Sequence, residues 1–319
     1  VAEMRAGGFL PEREASDAGP IELPLTESQK HFLLLSNVSN LSLTLRLDGP
    51  LRVDVLKRGV AEVVKRHESL RTTFADGNQL IKTDLPIDLT LIEASEQTLT
   101  DLLEEENRYR FDLVNGPLIR VCCLRLGEQS HVLSIVVHHL IVDGWSMIVL
   151  AQELGELYNA YCTGAPVALP PPLRFRDYLR SQETNDLRGE QEYWSEQMRD
   201  LPAAPELCET RSGQQSYAGA RRQKVLDPAL CDELIKASAR SGATLFMTTL
   251  AAYKVLVHQL TGARDLIVVV PAAGQATAGA ANLIGDCSNL LALRSRLNES
   301  DTFLDYLKRV KSGLLEAHS

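Results

Sequence analysis

The adjacent histidines His138-His139 stand where an apolar run ends and an Asp-Gly pair follows. Residues 132–137 are mostly apolar and β-branched, which predicts a buried strand. Asp143-Gly144 predicts a turn, and Ser146 is placed to cap the apolar helix that follows. Histidine is suited to proton transfer near neutral pH because its unperturbed pKa lies close to that pH. The stretch therefore predicts acid–base chemistry at the end of a strand.

Neighbouring residues of a strand point to opposite faces, so only one of the two rings can face a given cleft if the strand continues through the pair. A metal site needs imidazoles that converge on one point, which neighbouring strand positions do not provide. We therefore expect unequal roles for His138 and His139 and no metal ligand. The competing interpretation is that both are hydrogen-bonded core histidines, but the HHxxxDG pattern at a strand end favours a functional one.

Length and composition place the chain among globular proteins. Its 319 residues suffice for one large domain or two ordinary ones, and 45% of them are hydrophobic. The formal net charge of −9 opposes nucleic-acid binding through a basic surface. No apolar run approaches bilayer length, and the first residues lack a signal-peptide pattern. We expect a cytoplasmic protein without a membrane or nucleic-acid partner.

The six cysteines are scattered, and none lies in a CxxC or other metal-ligand spacing. They are typical of small apolar residues in a reducing compartment.

The order of apolar patterns predicts an α/β protein in four parts. Residues 1–20 are a flexible lead-in, and 21–163 form an N-terminal lobe around the histidine pair. A proline-rich connector follows at 164–174, and 175–319 form a C-terminal lobe.

Within these parts, Thr26 and Gln29 have capping-box spacing for a short helix. Further helices are expected at 53–65, 97–108, 147–161, 174–198, 227–242, 244–260 and from 302. Strands are expected at 41–47, 118–126, 131–137, 223–226 and 265–270, the last of them central in its sheet.

Five stretches in this order resemble motifs of the condensation domains of nonribosomal peptide synthetases. They are Leu25–Gln29 (S/T-x-A-Q, with Ser28 where alanine is usual), Arg66–Phe74 (RHExLRTxF), His138–Gly144 (HHxxxDG), Phe175–Tyr178 with Tyr193-Trp194, and Ile284–Arg294 (IGxFxNxLPLR, with Cys287 for Phe and Ala292 for Pro). Each match alone is weak, but five in order are specific.

The resemblance implies two chloramphenicol-acetyltransferase-like lobes that form a V, with the active site at their interface. Family members continue beyond the position of Ser319, so the second lobe is expected to be incomplete.

The resemblance also implies amide-bond formation in secondary-metabolite biosynthesis. The α-amine of an acceptor aminoacyl thioester attacks the thioester carbonyl of a donor, which is an L-configured or a polyketide chain. Both substrates are tethered to the phosphopantetheine of carrier proteins, and no cofactor is bound directly. The expected partners are upstream and downstream carrier proteins and adjacent adenylation or ketosynthase modules. The run Gly144–Met147 lacks the Ser-Trp-Arg of related epimerisation domains.

Carried over by position, His139 is the catalytic residue, which positions the amine, takes its proton or stabilises the charged intermediate. Asp143 is implied to be a structural anchor paired with an arginine, for which we predict Arg294. The remaining supporting residues are His138, Gly144, Arg66 and Arg71, and the residues predicted to line the substrate channel are Trp145, Ser146 and Asn289.

Two other functions stay open. One is an ester-forming acyltransferase of the same superfamily, which uses an alcohol acceptor. The other is a non-catalytic module that docks a partner enzyme on the carrier protein, although such a module is expected to have lost the histidine motif.

Overall fold

The computed structural model describes residues 20–34, 40–183, 186–207, 222–277 and 280–317. The chain divides into two compact units. Unit 1 comprises residues 1–185 and 273–289, and unit 2 comprises 186–272 and 290–319. The connector predicted at 164–174 lies inside unit 1, so the compact units and the predicted lobes do not share a boundary. The lobe boundaries stay a prediction, and all but the last residue of the predicted lead-in lies outside the described residues.

The described residues of unit 1 form two sheets. The larger has the strand order β2-β7-β6-β5, and the smaller has the order β1-β4-β3. Strands β2, β7 and β6 pair antiparallel, whereas β5 pairs parallel with β6. The strands are β1 (Ile21–Pro24), β2 (Asn40–Asp48), β3 (Thr72–Ala75), β4 (Asn78–Ile81), β5 (Leu89–Glu93), β6 (Ile119–Gly127) and β7 (Ser130–His138).

The longer helices of unit 1 are α1 (Glu27–Leu34), α2 (Val53–Arg66), α3 (Glu96–Asn107), α4 (Gly144–Thr163) and α5 (Phe175–Glu183), with a 3-10 turn at Glu68–Arg71. Helices α2, α3 and α4 pack against the larger sheet. Helix α2 buries a stripe of valine and leucine side chains in one core with α4 and the sheet. Gly59 lets α2 approach α4 closely, because a Cβ there would lie 3.1 Å from Cδ1 of Leu154.

Strand β7 ends at His138, the first residue of the histidine pair, and is buried over the whole run His131–Val137. Helices α2 and α4 share a core with one face of this strand, and α3 contacts the strand as well. A strand covered on both faces needs a continuous apolar run instead of an alternating one. This explains why the sequence 132–137 lacks polar alternation.

Unit 2 is built around a second core of buried residues from α8, the paired strands and α10. Its elements are α6 (Arg188–Gln197), α7 (Pro228–Arg240), α8 (Leu245–Thr261), β8 (Asp265–Ala273), β9 (Ser288–Arg296) and α10 (Phe303–Glu316). Strands β8 and β9 pair with each other, and both extend into residues of unit 1. A short helix, α9 (Gly274–Thr277), lies in unit 1. No helix in the described ranges is long and apolar enough to cross a bilayer.

The capping box predicted for α1 is confirmed. The backbone N–H of Thr26 donates to Oε1 of Gln29 at 2.9 Å, and the N–H of Gln29 donates to Oγ1 of Thr26 at 3.1 Å. The predicted helices at 53–65, 97–108, 227–242, 244–260 and from 302 are also confirmed within two residues at each end, as are the strands at 41–47, 118–126 and 131–137.

Three predictions of local structure are wrong. The helix expected over 174–198 is divided into α5 and α6. Residues 223–226 are not a strand, because none of the described residues pairs with them as a neighbouring strand. Val225 is accordingly 85% exposed. The strand expected to be central, β8, pairs with β9 alone in the described part of the chain, and Val269 on it is 55% exposed.

Unit 2 buries a lysine without an acidic partner among its hydrogen bonds. Nζ of Lys254, which is 1% exposed, donates to the carbonyl oxygen of Leu293 at 2.8 Å and to Oγ of Ser295 at 2.9 Å. Oγ of Ser295 is in turn bonded to Oη of Tyr306 at 2.8 Å. Burial lowers the pKa of Lys254 from 10.5 to about 8. Above about pH 8 the folded chain therefore holds this proton less tightly than the unfolded chain does, and stability rises with pH up to the unfolded pKa.

We expect Lys254→Met to remove that dependence. The free energy of unfolding of the wild type, relative to the variant, should increase by on the order of 2 kcal/mol between pH 8 and pH 10. Urea unfolding followed by the fluorescence of Trp194, in a Trp145→Phe background, measures this difference. Exposed Lys236→Met is the matched control and should leave the pH dependence unchanged. A Lys254→Met curve parallel to the wild type would contradict the expectation.

Candidate active site

Strand β7 ends between the two histidines. The N–H of His138, the last residue of β7, donates to the carbonyl oxygen of Leu118 at 2.9 Å. The carbonyl oxygen of His138 accepts from the N–H of Ile141 at 3.1 Å, which closes a turn. His139 lies in this turn and not in the strand, so the two rings have different surroundings.

The ring of His138 is held in a neutral form. Its Nδ1 accepts from the N–H of Leu140 at 3.2 Å, and its edge meets the ring of Phe111 at a centroid distance of 6.2 Å. Burial, and second the charge of His139, lower the pKa of His138 to about 4. His138 therefore stays neutral near pH 7 and supports the turn.

The ring of His139 is positioned by stacking. It lies 4.4 Å from the ring of Phe32 on α1, with 28° between the planes. His139 is half-buried, and its Nδ1 is buried without a hydrogen-bond partner among the described residues. Nε2 is therefore the nitrogen that can meet a ligand. Helix α1 holds the turn at a second point, because Nε2 of Gln29 donates to the carbonyl oxygen of Leu140 at 3.1 Å.

Asp143 is buried and accepts four hydrogen bonds. Its Oδ1 accepts from the N–H and the hydroxyl of Ser146 at 2.8 and 2.7 Å. Its Oδ2 accepts from Nε2 of Gln275 at 2.8 Å and from the N–H of Cys287 at 3.1 Å. Asp143 is thus the N-cap of α4, where the sequence predicted Ser146, and it also ties this helix start to the segment 274–287.

The predicted ion pair between Asp143 and Arg294 is wrong. Nε and Nη2 of Arg294 donate to the carboxylate of Asp265 at 2.9 and 2.7 Å, and Nη1 donates to backbone carbonyl oxygens of α6 and the residues after it. The physical reason is twofold. Neutral donors already occupy both oxygens of Asp143, and the paired strands β8 and β9 bring Asp265 beside Arg294.

The first turn of α4 makes further contacts with the segment 274–287 through Ser146 and Trp145. The hydroxyl oxygen of Ser146 accepts from the N–H of Gly285 at 3.1 Å and lies 2.9 Å from the carbonyl oxygen of Gly285, which shares the single hydroxyl proton with Oδ1 of Asp143. Nε1 of Trp145 donates to the carbonyl oxygen of Ala281 at 2.8 Å. Ser146 is fully buried, which does not agree with a channel-lining role. The channel predictions for half-buried Trp145 and for exposed Asn289 stay predictions.

Two glycines let α5 pack against the same segment. A Cβ on Gly285 would overlap the ring of Phe175, and a Cβ on Gly274 would lie 2.7 Å from Oη of Tyr178. The rings of Phe175 and Tyr178 stack on each other at a centroid distance of 6.1 Å. Phe175 and Tyr178 of the fourth stretch therefore pack against Gly274 and against Gly285 of the fifth stretch.

Arg66 is a structural residue. Its Nε donates to Oε2 of buried Glu153 at 2.9 Å, and its Nη2 donates to the carbonyl oxygen of Pro170 at 2.7 Å. Nε2 of His67 shares the same carboxylate oxygen at 2.9 Å. This cluster joins the end of α2 to α4.

Arg71 is structural as well. Its guanidinium donates to the carbonyl oxygens of Val64, Lys82 and Thr83. From the same motif, the hydroxyl of Ser69 donates to the carbonyl oxygen of Ile284 at 2.7 Å. The segment Arg66–Phe74 thus supports the site through Ser69, and its two arginines hold the turn that presents this serine.

Three residues at the site, Phe32, Gln275 and Asp286, were not among those predicted from the sequence. Phe32 follows Gln29 by three positions on α1, a spacing that puts both on one helix face and was available in the sequence. Gln275 and Asp286 had no local signal, because their partners lie far away along the chain.

The site thus consists of a histidine at a strand end, next to the capped start of a helix and a glycine-containing segment. The Condensation domain family matches residues 21–319, and the chain belongs to this family. The α/β fold expected from the resemblance is therefore confirmed, and the structure matches solved condensation domains.

Among curated proteins, the chain is 35% identical to a linear gramicidin synthase of Brevibacillus parabrevis over 93% of its own length. It is 33% identical to phosphinothricin tripeptide synthetase PhsC of Streptomyces viridochromogenes over 96% of its length. It spans 6% and 30% of these two relatives. The chain thus corresponds to a small part of much longer synthetases.

Among solved structures, the X-domain from teicoplanin biosynthesis is similar with a TM-score of 0.77 and 28% identity, over 92% of this chain and 70% of that one. The first condensation domain of the CDA synthetase has a TM-score of 0.79 and 24% identity, over 93% and 75% of the two chains. The second likeness concerns the fold alone.

We expect Asp143→Asn to destabilise the chain by about 3 kcal/mol, because an amide cannot accept the four hydrogen bonds that the buried carboxylate accepts. Asp227→Asn is the matched control. Asp227 is the exposed N-cap of α7, and asparagine caps a helix as well as aspartate does. Urea unfolding at pH 7 measures both variants. Equal small losses would show that Asp143 acts as a cap only.

We expect Gly285→Ala to destabilise the chain by about 2 kcal/mol, because the added methyl group overlaps the ring of Phe175. In a Phe175→Leu background the same substitution should destabilise less, since the smaller side chain leaves room. A double-mutant cycle measured by chemical unfolding gives the coupling. Strictly additive losses would contradict the packing explanation.

Proposed function

We propose that this chain catalyses amide-bond formation between a donor acyl or peptidyl thioester and the α-amine of an acceptor aminoacyl thioester. The observation that carries the proposal is His139, which stands outside the strand with one ring nitrogen buried and the other available. Its place in the HHxxxDG stretch of a Condensation domain supports the same conclusion.

The proposed reaction moves one proton. The amine nitrogen attacks the donor carbonyl carbon, a C–N bond forms, and Nε2 of His139 takes a proton from the nitrogen. The tetrahedral intermediate then expels the sulfur, the C–S bond breaks, and the proton passes from the imidazolium to the leaving thiolate. The products are an amide on the acceptor and a free thiol on the donor carrier.

His139 is better suited to this task than His138. The pKa of His138 is lowered to about 4 by burial, so its ring is a poor base near pH 7. Its Nδ1 is also engaged by the N–H of Leu140. A base used at neutral pH needs a free lone pair and a pKa near the working pH.

Gly144 supports access to the site. It is the first residue of α4, and beyond its chain neighbours and the adjacent helix backbone no atom of the described residues lies within 4 Å of the place where its Cβ would be. A substrate group can therefore approach the helix start next to the histidine turn. Asp143 in this proposal is an anchor and takes no part in proton transfer.

We further propose that both substrates are presented on the phosphopantetheine arms of an upstream and a downstream carrier protein, with no directly bound cofactor. Adjacent adenylation or ketosynthase modules are the proposed neighbours. The similarity to small parts of two multifunctional synthetases supports this context.

A second proposal is a module that docks a partner enzyme without catalysis. The likeness to an X-domain, which has also been solved in a complex with OxyB, favours this function. The retained His139, Asp143 and Gly144 oppose it, because a docking module has no use for a histidine presented in this way.

The decisive test pairs an N-acetyl-alanyl thioester of N-acetylcysteamine as donor with two acceptors, the alanyl and the lactyl thioesters. These acceptors differ only in carrying an amine or a hydroxyl group. We expect an amide product, and a rate about 10²–10⁴-fold lower in His139→Ala, the range that general-base catalysis contributes. Mass spectrometry of the products measures both.

Exposed His31→Ala is the control and should retain full activity. A preference for the lactyl acceptor would make the chain an ester-forming acyltransferase. If the wild type forms neither product from these thioesters or from carrier-bound substrates, the catalytic proposal is wrong and the docking function is favoured. Equal rates in the wild type and His139→Ala would remove His139 from the mechanism.

A further inference from the structure

The segment 274–287 contains a buried carboxyl group, that of Asp286, which the proposed mechanism does not use. Asp286 is 3% exposed. Its Oδ2 accepts from the hydroxyl of Ser28 at 2.6 Å, and its Oδ1 accepts from the hydroxyl of Ser288 at 2.7 Å. Two neutral hydroxyl groups thus hold the carboxyl group in place, and no arginine or lysine side chain is hydrogen-bonded to it among the described residues.

Helix α1 places this carboxyl group next to the histidine turn. Ser28 and Phe32 are four positions apart on α1 and therefore share one face of the helix. Ser28 bonds Asp286, and Phe32 stacks on the ring of His139. One helix face thus contacts both the histidine and the carboxyl group.

The contact between helix α1 and Asp286 needs a hydroxyl group at position 28. An alanine there could not donate a hydrogen bond to Oδ2 of Asp286, so the position of the carboxyl group depends on Ser28.

We propose that Asp286, held by Ser28 and Ser288, is a positioning residue that stabilises the protonated ring of His139 through its negative charge. The proposal rests on the proposed function, in which His139 takes a proton from the attacking amine. Asp286 neither gives nor receives that proton. Its carboxylate lowers the energy of the imidazolium while the proton stays on Nε2, until the leaving sulfur receives it.

The other groups that face Asp286 leave His139 as its cationic partner. Asp143 contributes a second negative charge, which raises the pKa of Asp286, as burial does more strongly. The pKa values of Tyr178 and Cys287 are raised, mainly by burial, so both are neutral near pH 7. His138 is neutral there too.

Burial and the hydroxyl groups act on Asp286 in opposite directions. Burial raises its pKa, whereas Ser28, Ser288 and a charged His139 lower it. Formation of the imidazolium therefore favours the ionised carboxylate, and the carboxylate in turn favours the imidazolium.

The test is Asp286→Asn in the full chain. We expect about a tenfold decrease in kcat with KM unchanged, because His139 becomes a weaker base when the neighbouring negative charge is removed. The acid limb of the pH–rate profile should move to lower pH, because the imidazolium loses its neighbouring charge. A residue that serves the fold alone would not move this limb.

A second readout needs no turnover. In chain labelled with ¹³C-histidine, NMR follows the ring signals of the seven histidines against pH, and His139→Ala assigns the signal of His139. We expect the titration midpoint of that signal to move to lower pH in Asp286→Asn. Ser28→Ala, which keeps the carboxyl group but removes one of its donors, should move it in the same direction by a smaller amount.

Two matched variants complete the design. Asp286→Glu keeps the charge and should restore the wild-type midpoint in large part. Asp101→Asn removes one negative charge from an exposed position of α3 and should change neither readout. Circular dichroism checks that each variant is folded.

An unchanged midpoint of His139 in folded Asp286→Asn overturns the inference. A shifted midpoint in a chain that forms no amide supports the electrostatic coupling and rejects the proposed function instead. A lower kcat with an unmoved acid limb and an unmoved midpoint assigns Asp286 to the fold alone and also overturns the inference.

Discussion

The site depends on the buried carboxylate of Asp143 and the four hydrogen bonds that it accepts. A charge in the interior is tolerated only if donors surround it, and here those donors come from the start of α4 and from the segment 274–287. Satisfying one carboxylate therefore brings two distant parts of unit 1 together. The turn that carries His139 precedes this carboxylate by a few residues, so its position follows from the same constraint.

The remaining motif residues reinforce that junction from other directions. Helix α1 contributes the stacking ring of Phe32, the 3-10 turn contributes the hydroxyl of Ser69, and α5 contributes the ring of Phe175. Each contact is made with the histidine turn or with residues near Gly285. Because these contacts share partners, loss of one is expected to alter the others, and single substitutions there should be non-additive.

Electrostatics divides the ionisable groups of the site by task. Burial keeps His138 neutral, so that it accepts a backbone hydrogen bond, whereas His139 keeps one nitrogen available. Both oxygens of Asp143 accept hydrogen bonds that hold the backbone. Asp286 accepts hydrogen bonds from two hydroxyl groups, and burial raises its pKa. Two neighbouring carboxyl groups thus have different roles because their donors differ.

Features that depend on local periodicity and capping could be predicted from the order of the amino acids alone. These include strands β6 and β7, the helix after Arg52, the capping box of α1 and the end of β7 at the histidine pair. Which groups meet at the site was decided by the tertiary fold. Gln275 lies 132 residues from Asp143, and Asp286 lies 258 residues from Ser28. Arg294 pairs with Asp265 for the same reason, because strand pairing and burial choose partners that no local pattern encodes.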